Sequence, residues 1–225
     1  MPERSSIFDM IGPIMIGPSS SHTGGVVRIG RVARRLLDEE IQHAEITFYN
    51  SFSRTYEGHG SDRAILAGLM NWAPDDERIR QAKAEAEEIG MTYHFKAIHN
   101  ATHLHPNTIL IHAKGHTHQT KVMGVSRGGG LILIREIEGF HCLITGQAPT
   151  LIITAADQEG SVGFLSSVIA HEQINIGTMT VNRSGKRQKA KLVFELDAEI
   201  RPLTLEYMKS LHWVQRIQYL PKLVE

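Results

Sequence analysis

The sequence predicts an α+β protein in two parts: a mixed α/β domain over residues 1–146, then a smaller βαββαβ unit over residues 150–225. Three observations carry that prediction. A polar run, Gly17-Pro18-Ser19-Ser20-Ser21-His22-Thr23-Gly24-Gly25, passes directly into apolar residues at helical spacing, Val26, Ile29, Ala33, Leu36 and Ile41. Short β-rich segments separated by glycine turns fill residues 91–136. Beyond Gly146-Gln147-Ala148-Pro149, the pattern reads strand, helix, strand, strand, helix, strand, which is the ferredoxin-like order.

Taken in order, Ile7–Ile16 is an apolar entry segment, and the serine-rich run and its helix follow. Glu45–Asn50 reads as a strand. Tyr56-Glu57-Gly58-His59-Gly60-Ser61-Asp62 is a second glycine-hinged polar loop, with Ser61 or Asp62 placed to cap a helix through Ile65, Leu66, Leu69 and Met70. The charged, alanine-rich stretch Asp75–Ile89 predicts a solvated helix stopped by Gly90. Strands are predicted at Met91–Ile98, Thr108–Ala113, Thr117–Ser126 and Leu131–Glu136, with Arg127-Gly128-Gly129-Gly130 bending between the last two. In the tail, Leu151–Ala155 is a strand, Asp157-Gln158-Glu159-Gly160 a turn, and Val162, Leu165, Val168 and Ile169 a helix face. Ile174–Val181 and the alternating Ala190, Leu192, Phe194 and Leu196 flank a Ser184-Gly185 hairpin signal, and Leu205, Met208 and Leu211 precede a last strand, Val214–Leu220.

The bulk numbers narrow the function. Lys plus Arg and Asp plus Glu are both 24, so the charge is balanced and the basic excess of a nucleic-acid binder is missing. No apolar run approaches the about 18 residues of a membrane span, and the start lacks a signal-peptide core, so a cytoplasmic location is expected. The one cysteine, Cys142, allows no internal disulfide and cannot alone build a four-thiolate metal centre.

The chemistry concentrates in the serine-rich run. One hydroxyl suffices to cap a helix, but here three serines, a threonine and an imidazole stand together at a helix start, where amides and the macrodipole favour an anion such as a carboxylate. Gly12, Gly17 and Ser19 mimic a phosphate loop, but Pro18 stands where that motif needs lysine, so a nucleotide triphosphate is not expected. His59, between glycines and ahead of a helix, repeats the arrangement of the first loop. Histidines at 99, 103 and 105, and at 112, 116 and 118, invite a metal reading, but no cysteine accompanies them at zinc spacing, so strand and turn positions explain them better. His105-Pro106-Asn107-Thr108 stays a site candidate. RNA-recognition domains share βαββαβ, yet the third tail strand offers only Phe194 as an aromatic.

Two resemblances give these residues a setting. Asp157-x-x-Gly160 before a helix, then Ile174-Asn175-Ile176, looks like the ACT family of amino-acid-sensing domains over residues 150–221. That resemblance implies side-by-side self-association and a small effector near the first turn. It makes Asp157, Glu159, Gly160, Ser161 and Asn175 either regulatory positions or simply part of a dimer surface. The serine-rich run, Gly58-His59-Gly60-Ser61-Asp62, His105-Pro106-Asn107-Thr108 and Gly128-Gly129-Gly130, in that order, resemble the β chain of iron–sulfur L-serine dehydratase. Ser61 stands where single-chain relatives more often carry threonine, one hydroxyl for another.

This second resemblance implies a lyase that eliminates water from L-serine, leaving an enamine that hydrolyses to pyruvate and ammonia without pyridoxal phosphate. A [4Fe–4S] cluster on an α subunit would polarise the leaving hydroxyl, and the β chain would hold no metal. His22 and His59 become the acid–base candidates. Ser19, Ser20, Ser21, Thr23, Ser61, Asp62, Asn107, Thr108 and Gly129 become substrate contacts. No nucleic acid or membrane partner is expected. The alternative is a non-catalytic amino-acid sensor working through the tail.

Overall fold

The computed structural model describes residues 14–223, so most of the Ile7–Ile16 segment, and Gly12, lie outside the described residues. The chain divides into two compact units, one ending at Glu138 and one beginning at Gly139. The division falls ahead of the Gly146–Thr150 punctuation.

The first unit starts differently from expectation. Ser20–Gly24 is not a loop but a π-helical turn, running without a break into α1 (Gly25–Leu37). Wide π turns are frequent at functional sites, where the extra residue per turn pushes side chains out of helical register. Ser, Thr and Gly are poor helix formers, which hid the turn in the sequence. At the other end α1 stops at Leu37, short of Ile41, because Asp38 takes a left-handed conformation (φ 65°). β1 (His43–Tyr49) is followed at once by an unforeseen short helix, α2 (Asn50–Thr55), and then by α3 (Ser61–Leu69). The single helix expected over 75–89 is instead a 3₁₀ turn, Glu77–Gln81, capped by the Asp76 carboxylate, and α4 (Ala82–Glu88), because Gln81 leaves the helical region (φ −113°, ψ 14°).

Four strands complete the unit: β2 (Thr92–Ile98), β3 (Thr108–Lys114), β4 (Gln119–Gly128) and β5 (Leu131–Ile137). Within it the sheet order is β2-β1-β3-β4-β5, with β1 and β2 parallel and the other pairs antiparallel. α1 lies on β3, β4 and β5 and against α3. Its apolar stripe, Val26, Ile29, Ala33 and Leu36, is fully buried, each large side chain contributing about 1.5–3 kcal/mol. The α1–α3 crossing is backbone on backbone: a Cβ on Gly68 would lie 2.2 Å from the Val27 carbonyl oxygen and 2.9 Å from Gly30 Cα. No larger residue fits there.

The second unit opens with β6 (Phe140–Ile144), too short to show a period in the sequence. β7 (Thr150–Ala156), α5 (Ser161–His171), β8 (Ile176–Arg183), β9 (Lys189–Leu196), α6 (Pro202–Lys209) and β10 (Val214–Leu220) then form the βαββαβ order. The sheet runs β10-β7-β9-β8, antiparallel throughout, the ferredoxin-like arrangement. Leu151, Ile153, Leu192, Phe194 and Leu196 pack with Leu165, Ile169 and Met208 from the helices, so Phe194 is a core residue and not an exposed stacking platform. The other sheet face carries Lys191 and Glu195, both buried. The Lys191 ammonium lies 5.4 Å from the Phe140 ring centroid, and Glu195 Oε1 accepts from the Thr145 amide at 2.7 Å. Cys142 is buried in β6 and forms no disulfide. Among the described residues no helix is long and apolar enough to cross a membrane.

Candidate active site

The site is built around His22, on the π-helical turn. Ser19 caps that turn, its hydroxyl accepting from the His22 amide at 3.3 Å. His22 Nδ1 lies 3.0 Å from Ser21 Oγ and 3.3 Å from Ser19 Oγ, and those two hydroxyls are 3.2 Å apart. On the opposite edge of the ring, Nε2 lies 3.1 Å from Thr55 Oγ1. The ring plane is held between Phe52 (centroids 4.8 Å apart, 72°) and His59 (4.7 Å, 87°). His22 is half-buried and its pKa is lowered, first by desolvation and then by the charge of His59. Both effects favour the neutral imidazole, the form that accepts a proton.

The other motifs arrive through the fold. Gly129 donates its amide to Ser20 Oγ at 3.2 Å, and Ser126 donates its hydroxyl to the Ser21 carbonyl at 2.8 Å, so the β4–β5 turn supports the serine run. Buried Arg28 holds that turn by donating to the Gly130 carbonyl at 2.5 Å. The His105–Thr108 loop is clamped to α2: Asn50 donates to the carbonyls of Ala101 and Leu104 at 2.9 and 3.1 Å, and Ser51 donates its amide to Pro106 at 3.0 Å. Asn50 takes positive φ (51°), a conformation asparagine tolerates better than most residues. The loop meets the serine run through the Ser126 amide, which donates to the Asn107 carbonyl at 3.0 Å. His105 has its pKa lowered by desolvation and then by Arg127 and Arg135, and its Nδ1 accepts from the Asn107 amide at 3.1 Å.

The sequence-predicted residues therefore fall into distinct places. Ser19, Ser20, Ser21, His22, His59 and Gly129 converge, with His59 exposed at the edge. Thr23 is buried instead, packed so closely on Gly17 that a Cβ there would lie 2.3 Å from Thr23 Oγ1. Ser61 is fully buried and donates to the His22 carbonyl at 2.9 Å. The buried Asp62 is engaged by Lys83 at 2.6 Å and by the Arg63 amide at 2.8 Å. Thr108 ties its own loop by donating to the His105 carbonyl at 2.8 Å. Thr55, Phe52, Asn50 and Ser126 were not singled out by the sequence. Beside Thr55, a cavity of about 380 Å³ is lined by Arg54, His99 and Pro106 among others.

In the second unit, Asp157 accepts from the Arg187 amide at 2.9 Å and from Arg183 at 3.3 Å, and with Glu159 it lines a surface cavity of about 760 Å³. Gly160 precedes α5 in a left-handed conformation, Ser161 donates to the Gln158 carbonyl at 3.0 Å, and Asn175 donates to Asp197 at 2.9 Å.

Among the described residues no three His, Cys, Asp or Glu side chains converge on a metal position. The histidines of the two clusters are engaged separately, His99 with Ser53 (2.8 Å), His112 with Gln119 (3.4 Å) and His118 with Thr117 (2.8 Å).

Fold and site together define a class: a two-unit α+β protein whose first unit sets paired imidazoles among serine hydroxyls, in the pattern of an acid–base binding site. Comparison with known proteins makes the class specific. The model of the serine dehydratase beta chain family matches residues 6–119, a span that holds the serine run, His59 and the His105–Thr108 loop. The "Probable L-serine dehydratase, beta chain" of Bacillus subtilis is 40% identical over 206 residues, 92% of this chain and 93% of its own length. The "L-serine dehydratase, beta chain" of Peptoniphilus asaccharolyticus is 31% identical over 212 residues, 94% of each. An "L-serine dehydratase" of Streptomyces coelicolor is 39% identical over 89 residues, covering 37% of this chain but 19% of that protein. The chain belongs to the serine dehydratase beta chain family.

Proposed function

We propose that the chain is the β subunit of an iron–sulfur L-serine dehydratase, a cytoplasmic lyase that converts L-serine to pyruvate and ammonia together with an α subunit. The observation that carries this reading is the convergence of His22, His59, Ser19, Ser20 and Ser21 on one place, with burial and His59 shifting His22 toward its neutral form. A [4Fe–4S] cluster needs several thiolates, and one buried thiol does not hold it, so the cluster belongs to the α partner in this reading. What this chain contributes is grip and proton handling. The Ser20 hydroxyl, oriented by the Gly129 amide, and the helix start suit a carboxylate, with Ser19 and Ser21 beside them. The paired imidazoles suit removal of the α-proton and its return to solvent. The ferredoxin-like unit is taken as an ACT domain, with self-association through its sheet and an effector at the Asp157–Glu159 cavity.

The test is co-expression with the α partner and anaerobic assay of pyruvate formed from L-serine. Activity in the pair, absent from either chain alone and lost with His22→Ala, is the expected result. Full activity of the pair after His22→Ala and His59→Ala would leave only the amino-acid-sensor reading.

A further inference from the structure

We infer that Thr55 is a positioning residue that fixes His22 as the Nε2–H tautomer, so that Nδ1, facing Ser21, is the basic nitrogen of the site. The argument is a count of protons. A threonine hydroxyl has one proton to give, and Thr55 gives it to the Ser51 carbonyl one turn back in α2, at 3.0 Å. Toward His22 Nε2, 3.1 Å away, Thr55 Oγ1 therefore acts as acceptor, and the proton between them belongs to the imidazole. A neutral imidazole carries one N–H, so Nδ1 is left with its lone pair. That lone pair meets the Ser21 hydroxyl at 3.0 Å.

The remaining hydroxyls fit the same direction. Ser19 Oγ accepts from the His22 amide and lies 3.2 Å from Ser21 Oγ and 3.3 Å from His22 Nδ1, so its proton has an acceptor in either direction that leaves Nδ1 unprotonated. Ser21 then donates to His22 Nδ1, His22 Nε2 to Thr55, and Thr55 to the Ser51 carbonyl. Every donor is used once, and the chain ends on a backbone acceptor that cannot reverse it. Phe52 and His59 hold the ring plane in place, and a flip of the ring within that plane would lose the hydrogen bonds of both nitrogens, to Ser21 and to Thr55. A proton entering through the Ser21 hydroxyl stops at Nδ1, and the imidazolium so formed keeps its Nε2–H on Thr55.

The catalytic half of this inference rests on the proposed function; the tautomer does not. The full chain labelled with ¹⁵N-histidine gives the tautomer directly from two-bond ¹H–¹⁵N spectra, with the His22 signals assigned by their loss in His22→Gln. Wild type is expected as Nε2–H, Thr55→Ser as the same, and Thr55→Val as a mixture or the Nδ1–H form. In the α–β pair, Thr55→Val is expected to lower kcat about tenfold or more with KM little changed, and Thr55→Ser to restore it. Nδ1–H in the wild type, or Nε2–H persisting in a folded Thr55→Val chain, overturns the inference. Should Thr55→Val fail to fold, the wild-type spectrum alone decides. Absence of serine dehydration with the tautomer as stated would overturn the proposed function and leave the Thr55 assignment standing.

Discussion

The two units use the same device with opposite reach. Gly60 (φ 72°) precedes α3 and Gly160 (φ 80°) precedes α5, each followed by a serine as the first helical residue. Both serines turn their hydroxyls back to a carbonyl. Ser161 finds Gln158, three residues away in its own turn, whereas Ser61 finds His22, which lies 39 residues earlier in the chain. The companion carboxylates differ as well: Asp62 is buried and bound to Lys83, while Asp157 is tied more loosely at a surface cavity. An identical local motif is thus a helix start in one unit and a support of the imidazole in the other. Long-range wiring distinguishes them.

The largest effect should separate the units in catalysis. Within the α–β pair, His22→Ala is expected to lower kcat for L-serine by about 10²–10⁴, the usual worth of an acid–base group, and Ser161→Ala to change it less than about threefold. Rates of pyruvate formation measure both. Equal losses from the two variants would break the contrast. Stability should separate them next. Ser61→Ala leaves the His22 carbonyl short of a buried donor and is expected to cost about 1–3 kcal/mol in urea unfolding, against about 1 kcal/mol or less for Ser161→Ala, whose carbonyl partner sits in a surface turn.

The same contrast explains what the sequence could reveal. The ferredoxin-like order was legible because its strands are long enough to alternate: Ala190, Leu192, Phe194 and Leu196 all face the helices, as a period of two requires. β6 and α2, with five and six residues, carry no period and were invisible. Chemistry-bearing side chains in glycine-rich runs were equally visible, so His22, His59 and Gly129 stood out. Whether a hydroxyl faces the opening or the interior was not visible, because burial is decided by packing; Thr23 and Ser61 turn inward only once α3 and the Gly17 backbone cover them. Thr55 had no signal at all. It belongs to no motif, and only the β1–α2 turn at Asn50 brings it to a ring 33 residues earlier in the chain.

Acid should also tell the units apart. His22 has a folded pKa below its ordinary 6.5, chiefly from burial, so the unfolded chain takes up that proton first as pH falls. The contribution of His22 to the first unit's stability is thus complete above about pH 6.5 and is lost as pH drops through the lowered His22 value. Glu172 in the second unit is lowered from 4.5, first by its hydrogen bond to Arg201 and then by Thr204 and the Arg201 charge, so its contribution persists to about pH 4.5 and fades below that. The two tryptophans report the units separately: Trp72 in a Trp213→Phe chain, Trp213 in a Trp72→Phe chain. Urea midpoints for the Trp72 signal should begin to fall from about pH 6.5, and those for the Trp213 signal only from about pH 4.5. Coincident profiles would mean that the units unfold as one.

The smallest effect tests whether the Asp157 turn is structure or binding surface. Asp157 meets Arg183 and the Arg187 amide at a surface cavity, where solvent screening leaves such pairs worth about 0–1 kcal/mol. Asp157→Asn should therefore shift the Trp213 unfolding midpoint only slightly, and the shift should shrink further in molar salt. A loss well above about 1 kcal/mol, insensitive to salt, would show that the carboxylate holds the β7–α5 turn in shape as Ser61 holds His22. A small loss leaves the carboxylate free to exchange Arg183 for a ligand's ammonium group, which is the property an amino-acid effector site at this cavity requires.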